Sequence, residues 1–202
     1  MANGVYSEKE MKYMLKFQDF KGWIFKPLLA ILTSLKINAN HISSLSALTA
    51  IASLFLSIHQ FDPRFFLIGI WIHIFWDSLD GPLARFQKKN SSLGSFIDVV
   101  CDHLGILTSG FYMLQFTNIN PSYILMFIIF YTVDIYNLFI TNYIQKPIAA
   151  VFRPRMLVYA MLFIDFYFFK NYTQNVLIFL NFILFIQCVS SFTSIAKYLK
   201  NN

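Results

Sequence analysis

The chain is predicted to be an all-α integral membrane protein: six transmembrane helices packed as a bundle, preceded by an N-terminal amphipathic helix lying in the interface. Three observations predict this. Hydrophobic residues make up 57% of its 202 residues and charged residues only 13%. Its mean hydropathy is +0.56. Six apolar runs, at about 42–59, 65–86, 93–116, 123–143, 156–169 and 175–196, are separated by polar, charged or proline-containing joints. A soluble domain carries about 25% charged residues, and a spanning helix needs about 20 mainly apolar ones. The length therefore accommodates six spans with short joints and leaves no room for a separate soluble domain.

The segments follow in order. Residues 5–35 mix Lys9, Lys12, Lys16, Lys21 and Lys26 with Met11, Met14, Leu15, Phe17, Phe20, Trp23, Ile24 and Phe25, the pattern of a helix lying flat on a bilayer. We take residues 1–40 as this juxtamembrane segment and 41–202 as the membrane domain. The first residues have charge on both sides and no apolar core before a small-residue cleavage site, so they do not match a secretory signal. The fifth run is the shortest, and Arg155 and Lys170 at its ends can snorkel to the two interfaces. No internal repeat is visible. Cys101 and Cys188 match no metal or redox spacing and are expected in the core.

Orientation follows from the basic residues, because Lys and Arg near span ends are retained in the cytoplasm. Of the 16 Lys and Arg, only Arg64 and Lys170 fall on one set of joints. The others occupy the amino-terminal segment, the joints after spans two and four, and the carboxyl end. Both termini are therefore expected in the cytoplasm. Retention and attraction to anionic lipid account for the net charge of +6 without a nucleic acid partner.

Four of the ten acidic residues, Asp77, Asp80, Asp98 and Asp102, are concentrated in spans two and three. Each ionised Asp costs about 2.5–3.5 kcal/mol within a membrane helix. Asp77, Asp80, Gly81 and Ala84 have the i, i+3, i+4, i+7 spacing of one helix face, and Gly94, Asp98 and Asp102 share a face of the next helix. Equal distance from the intervening joint places Asp77 level with Asp102, and Asp80 level with Asp98. Carboxylates about 5 Å apart repel by about 3 kcal/mol at an effective dielectric near 20, so cations are needed between them. Mg²⁺, held by carboxylates together with substrate phosphates, suits such a site, and two ions would neutralise a diphosphate. The small residues leave room for a ligand or let the helices approach closely, and Pro82 loosens the helix beside the site.

The string Asp77-Ser78-Leu79-Asp80-Gly81-Pro82-Leu83-Ala84-Arg85, eight further residues, then Gly94-Ser95-Phe96-Ile97-Asp98-Val99-Val100-Cys101-Asp102 resembles the signature of the CDP-alcohol phosphotransferase family. All eight fixed positions match with the family spacing. Ala39-Asn40-His41-Ile42-Ser43 is similar to a second family motif, with Ala for Pro and Ser for Thr. The resemblance implies a six-helix membrane domain whose site opens to the cytoplasm, and a homodimer. It implies that Asp77, Asp80 and Asp98 bind two Mg²⁺ or Mn²⁺ ions gripping a CDP-activated donor. It makes Asp102 both a metal ligand and the general base. Asn40, Asp80, Gly81, Ala84, Arg85 and Gly94 would border the donor, with Arg85 either at the diphosphate or in a salt bridge orienting an Asp. The reaction implied is attack of an alcohol on the phosphorus remote from cytidine, with release of CMP. The donor is either CDP-diacylglycerol, giving phosphatidyl transfer, or a CDP-amino alcohol acting on diacylglycerol, and the short chain favours the first.

Two roles fit Asp134, which lies in the middle of span four: binding the acceptor alcohol, or a structural hydrogen bond. Arg153 and Arg155 suit either an acceptor phosphate, by bidentate contacts, or orientation alone. His103 points about 100° away from Asp102 on the helix and is expected at the rim. A cation transporter would show inverted repeats and paired broken helices, which are not evident, and a silent scaffold would not need all four Asp.

Overall fold

The computed structural model describes residues 20–144 and 154–200, and every regular element among them is helical. After a helical turn over residues 20–24 come α1 (Lys26–Ser34), α2 (Ala39–Gln60), α3 (Pro63–Phe86), α4 (Ser92–Phe116), α5 (Pro121–Tyr143), α6 (Arg155–Phe168) and α7 (Tyr172–Lys200). The apolar runs from residue 42 onward thus each became a helix. Four of these, α2, α4, α5 and α7, are long and apolar enough to cross a membrane. The protein is accordingly an integral membrane protein. α3 has 24 residues but carries Asp77, Asp80 and Arg85, and α6 has only 14.

Local chemistry sets the helix ends. Asp62 caps α3 by accepting the Arg64 amide at 2.9 Å, and Pro63 follows at the first helical position, where a missing N–H costs nothing. Lys36, Phe61, Lys88 and Phe169 lie at positive φ just past the ends of α1, α2, α3 and α6. In each case the next amide reaches back five residues: Ile37 to the Leu32 carbonyl, Asp62 to Ser57, Lys89 to Ala84 and Lys170 to Asp165. This is a Schellman closure made without glycine. Asp165 then accepts the Tyr172 and Thr173 amides, each at 2.8 Å, tying the end of α6 to the start of α7.

The residues fall into two compact units that divide after Gln115. In the first, α2 packs along α3. A Cβ on Gly69 would collide with the Ser53 side chain, so only glycine lets these two helices come this close. The Ser57 hydroxyl accepts the Phe66 amide at 2.7 Å, and Ser46 bonds buried His73 at 2.7 Å. Phe66 stacks on Tyr112 of α4, ring centroids 4.4 Å apart. α1 buries Leu29 and Leu32 against Ile42, Leu79 and Leu83 and leaves Ile31 and Leu35 exposed. The earlier part of the expected amphipathic segment, residues 5–19, lies outside the described residues.

In the second unit α5 and α7 run parallel. Asn181 donates to the Tyr123 carbonyl at 2.9 Å, and further along Cys188 reaches the Phe130 carbonyl at 3.4 Å. Partners advance together on both helices, as an intervening α6 requires.

Candidate metal and donor site

Asp77 and Asp80 come from the last turns of α3, and Asp98 and Asp102 from the first turns of α4. Asp77, Asp98 and Asp102 each offer a carboxylate oxygen, and these oxygens lie within 4.8 Å of one another. Oxygens about 2.1 Å from one octahedral ion are at most about 4.2 Å apart, so a small inward movement of the side chains suffices to bind a divalent cation. Asp102 is buried, while Asp77 and Asp98 are half-buried.

Asp80 is placed differently. It is 7% exposed and accepts the Ser43 hydroxyl at 2.6 Å on Oδ2 and the Gly81 amide at 2.6 Å on Oδ1. It still lies within electrostatic range of Asp77 and Asp98. The two-level pairing expected from the sequence thus became a trio plus one. Three residues advance about 300° around a helix, which turns Asp80 about 60° from Asp77. That rotation faces it toward α2, where Ser43 lies.

The start of α2 completes the neighbourhood. A Cβ on Gly94 would meet Asn40 Oδ1 at 3.4 Å and Ser91 Oγ at 3.2 Å, so Asn40 reaches the helix that carries Asp98 and Asp102. Its own helix begins at Asn38, whose amide is accepted by His41 Nδ1 at 3.4 Å in a capping box. Gln87, just past α3, donates to the Ile37 carbonyl at 2.7 Å, and Lys89 Nζ donates to Asn38 Oδ1 at 3.2 Å. The joint after the Asp77–Asp80 helix therefore clamps the start of α2. From the sequence, Gln87 and Lys89 had no role at the site, and Ser43 had a place in the Ala39–Ser43 motif but not its bond to Asp80. Two signals pointed to Ser43: its place at the end of the Ala39–Ser43 motif, and its position three residues after Asn40 on the same helix face. Gly81, Ala84 and Arg85 are half-buried on α3, and among the described residues a Cβ on Gly81 would meet Arg85 Nη1 at 3.6 Å.

A family model, CDP-alcohol phosphatidyltransferase, matches residues 36–189, and this span contains every element of the acidic site. The chain belongs to the CDP-alcohol phosphatidyltransferase family. Among solved structures, the phosphatidylinositol phosphate synthase of Mycobacterium tuberculosis in complex with manganese and citrate has the same fold. Its TM-score is 0.69 at 15% identity, covering 84% of this chain and 87% of that one. A search of curated protein sequences finds no match.

As a phosphatidyltransferase family member, the chain is a membrane transferase of phospholipid synthesis, and its acidic trio is suited to a metal. Of the remaining candidates, Asp134 and Arg155 belong to the second unit. Asp134 is buried in α5 and accepts Gln187 Nε2 at 3.0 Å on one oxygen and Cys188 Sγ at 3.2 Å on the other. It ties α5 to α7, and Cys188, read as core filler, is one of its donors. Arg155 begins α6 and is half-buried. Arg153 lies outside the described residues. Cys101 and Cys188 are both buried free thiols.

Proposed function

We propose that the chain transfers a phosphatidyl group from CDP-diacylglycerol to an alcohol and releases CMP. The observation that carries this reading is the convergence of Asp77, Asp98 and Asp102 within the eight-position motif, with Asp80 and Asn40 beside them. That a protein of the same fold is a phosphatidylinositol phosphate synthase favours the CDP-diacylglycerol donor.

In this reading Asp77, Asp98 and Asp102 hold one divalent ion, Mg²⁺ or Mn²⁺, and Asp80 joins in holding a second. Cations held by these residues would supply neutralisation of the diphosphate charge and polarisation at the reacting phosphorus. Asn40, Gly81, Ala84, Arg85 and Gly94 border the cytidine diphosphate. Asp102 accepts the proton of the acceptor hydroxyl as its oxygen attacks the phosphorus remote from cytidine. The bond from that phosphorus to the CMP oxygen breaks, and CMP leaves with the electron pair. Holding donor and acceptor in line supplies much of the rate.

The setting is a membrane domain over residues 41–202, with α2 to α7 as its six spans. α6, about 21 Å long, is extended by Arg155 and Lys170 snorkelling to the interfaces. Residues 1–40 are the juxtamembrane segment in this reading, and the site and both termini face the cytoplasm. Asp134, Arg153 and Arg155 are candidates for the acceptor side, and a homodimer is the assembly we expect. The test is release of labelled CMP from CDP-diacylglycerol and from CDP-amino alcohols, each against a panel of acceptors in Mg²⁺. Release only from a CDP-amino alcohol with diacylglycerol would replace this reading with its nearest alternative.

A further inference from the structure

Ser43 lies three residues after Asn40 on α2 and is 3% exposed. Its hydroxyl has two acceptors within reach, Asp80 Oδ2 at 2.6 Å and the Ala39 carbonyl at 3.3 Å. A hydroxyl has one proton to donate. The shorter bond, to a carboxylate, takes it, because charge-assisted hydrogen bonds are the stronger kind. Asp80 is thereby held on both oxygens, by Ser43 from α2 and by the Gly81 amide from its own helix.

This arrangement is held from further away. The start of α2 cannot slide along α3, because Gln87 grips the Ile37 carbonyl and Lys89 grips the cap residue Asn38. Ser43 is thus a fixed donor presented to one carboxylate of the four. Without it Asp80 would choose among rotamers beside two like charges, Asp77 and Asp98, in a setting of low dielectric.

The geometry points to Ser43 as the positioning residue of Asp80: its hydroxyl holds Oδ2 on α2 and so fixes the carboxylate, whose Oδ1, while accepting the Gly81 amide, keeps a lone pair for a divalent cation. The inference rests on the reading of the acidic site as a metal centre and deepens it. Ser43 acts through Asp80, as hydrogen-bond partners of metal-ligating carboxylates commonly do, and loss of such partners costs about 10-fold to 100-fold in metal affinity.

The experiment compares Ser43→Ala, Ser43→Thr and Ser43→Val in the purified full chain, with Mn²⁺ binding read by electron paramagnetic resonance of the free ion, with and without CDP-diacylglycerol. Thr and Val have the same shape, and only Thr keeps the hydroxyl. Ser43→Ala and Ser43→Val should weaken Mn²⁺ binding about tenfold or more, while Ser43→Thr stays within about threefold of the parent. Ala or Val binding Mn²⁺ like the parent would overturn the assignment, as would Thr binding as poorly as Val. Should Ser43→Ala fail to fold, the Thr and Val pair decides. If the parent chain releases no CMP from any CDP donor, the proposed function fails, and the Mn²⁺ comparison still tests the role of Ser43.

Discussion

Asn40 Oδ1 of α2 stands 3.4 Å from where a Cβ would project from Gly94 of α4, so the two motifs of the family meet at a glycine. Alanine there makes an ordinary contact with Asn40 and asks the Ser91 hydroxyl, which accepts the Gly94 amide at 3.0 Å, to give by a few tenths of an ångström. Leucine would drive Asn40 away. Gly94→Ala is expected within about threefold of the parent in donor binding, and Gly94→Leu weaker by about tenfold or more, as overpacking costs imply. Calorimetric titration of a CDP donor checks this, and equal binding by Gly94→Leu would remove Asn40 from the donor site.

Asp102 and Asp80 should fail differently. Asp102→Asn keeps size and an oxygen but accepts a proton poorly, so CMP release should fall by about 10²–10⁴-fold with donor binding largely retained. Asp80→Asn removes the charge that the proposed function places toward the diphosphate and should weaken donor binding itself. Rates of CMP release beside donor titrations in each variant separate the two. A mild rate defect at Asp102 would end its assignment as base.

The three carboxylates whose oxygens approach within 4.8 Å repel one another, and a shared cation would relieve that repulsion. Chelation should abolish CMP release, and added Mg²⁺ or Mn²⁺ should restore it. Full turnover in metal-free buffer would contradict the proposed mechanism.

Topology is open to a direct test through Lys88, past the end of α3, and Lys170, between α6 and α7. In a background lacking Cys101 and Cys188, cysteine at position 88 should be labelled by an impermeant reagent only from the cytoplasmic side. Cysteine at position 170 should be labelled only from the opposite side. Labelling of both from one side would refute the arrangement of six spans.

Asp62 offers a pH signature outside the membrane-spanning segments. The Arg64 side chain bonds it through Nε and Nη2. That pairing, with the Arg64 amide, holds its carboxyl below the usual carboxylate range. Because the folded-state value is depressed, the stabilisation is fully present above the unfolded value of about 3.9 and is lost as pH falls through the folded value. Asp62→Asn keeps the cap and removes the charge. Its melting temperature should lie slightly below the parent's at about pH 7 and converge with it near pH 2. High salt should shrink the neutral-pH difference, the pair being exposed. A difference unchanged in acid would show that charge is not the cause.

What the sequence determined by itself was everything carried by periodicity and spacing. Apolar runs foretold α2 to α7, because burying or wetting a backbone in lipid leaves the helix as the available solution. The spacing of Asp77, Asp80, Gly81 and Ala84 foretold one face, because about 3.6 residues per turn is a local property of the chain. The same local rule placed Gly94, Asp98 and Asp102 together, and the pattern of eight positions carried the family.

Tertiary structure alone decided which partner each side chain met. That Asp80 turns to Ser43 rather than into the trio depends on where α2 packs, 37 residues away along the chain. Asp134 is held by Gln187 and Cys188 because α5 and α7 run parallel in one particular register. Asp165 caps the next helix because a left-handed residue at Phe169 folds the chain back. Each of these is a contact between residues distant in sequence or reversed by a turn. Helical spacing fixes the direction of a side chain on its own helix, but packing between helices determines what stands opposite it.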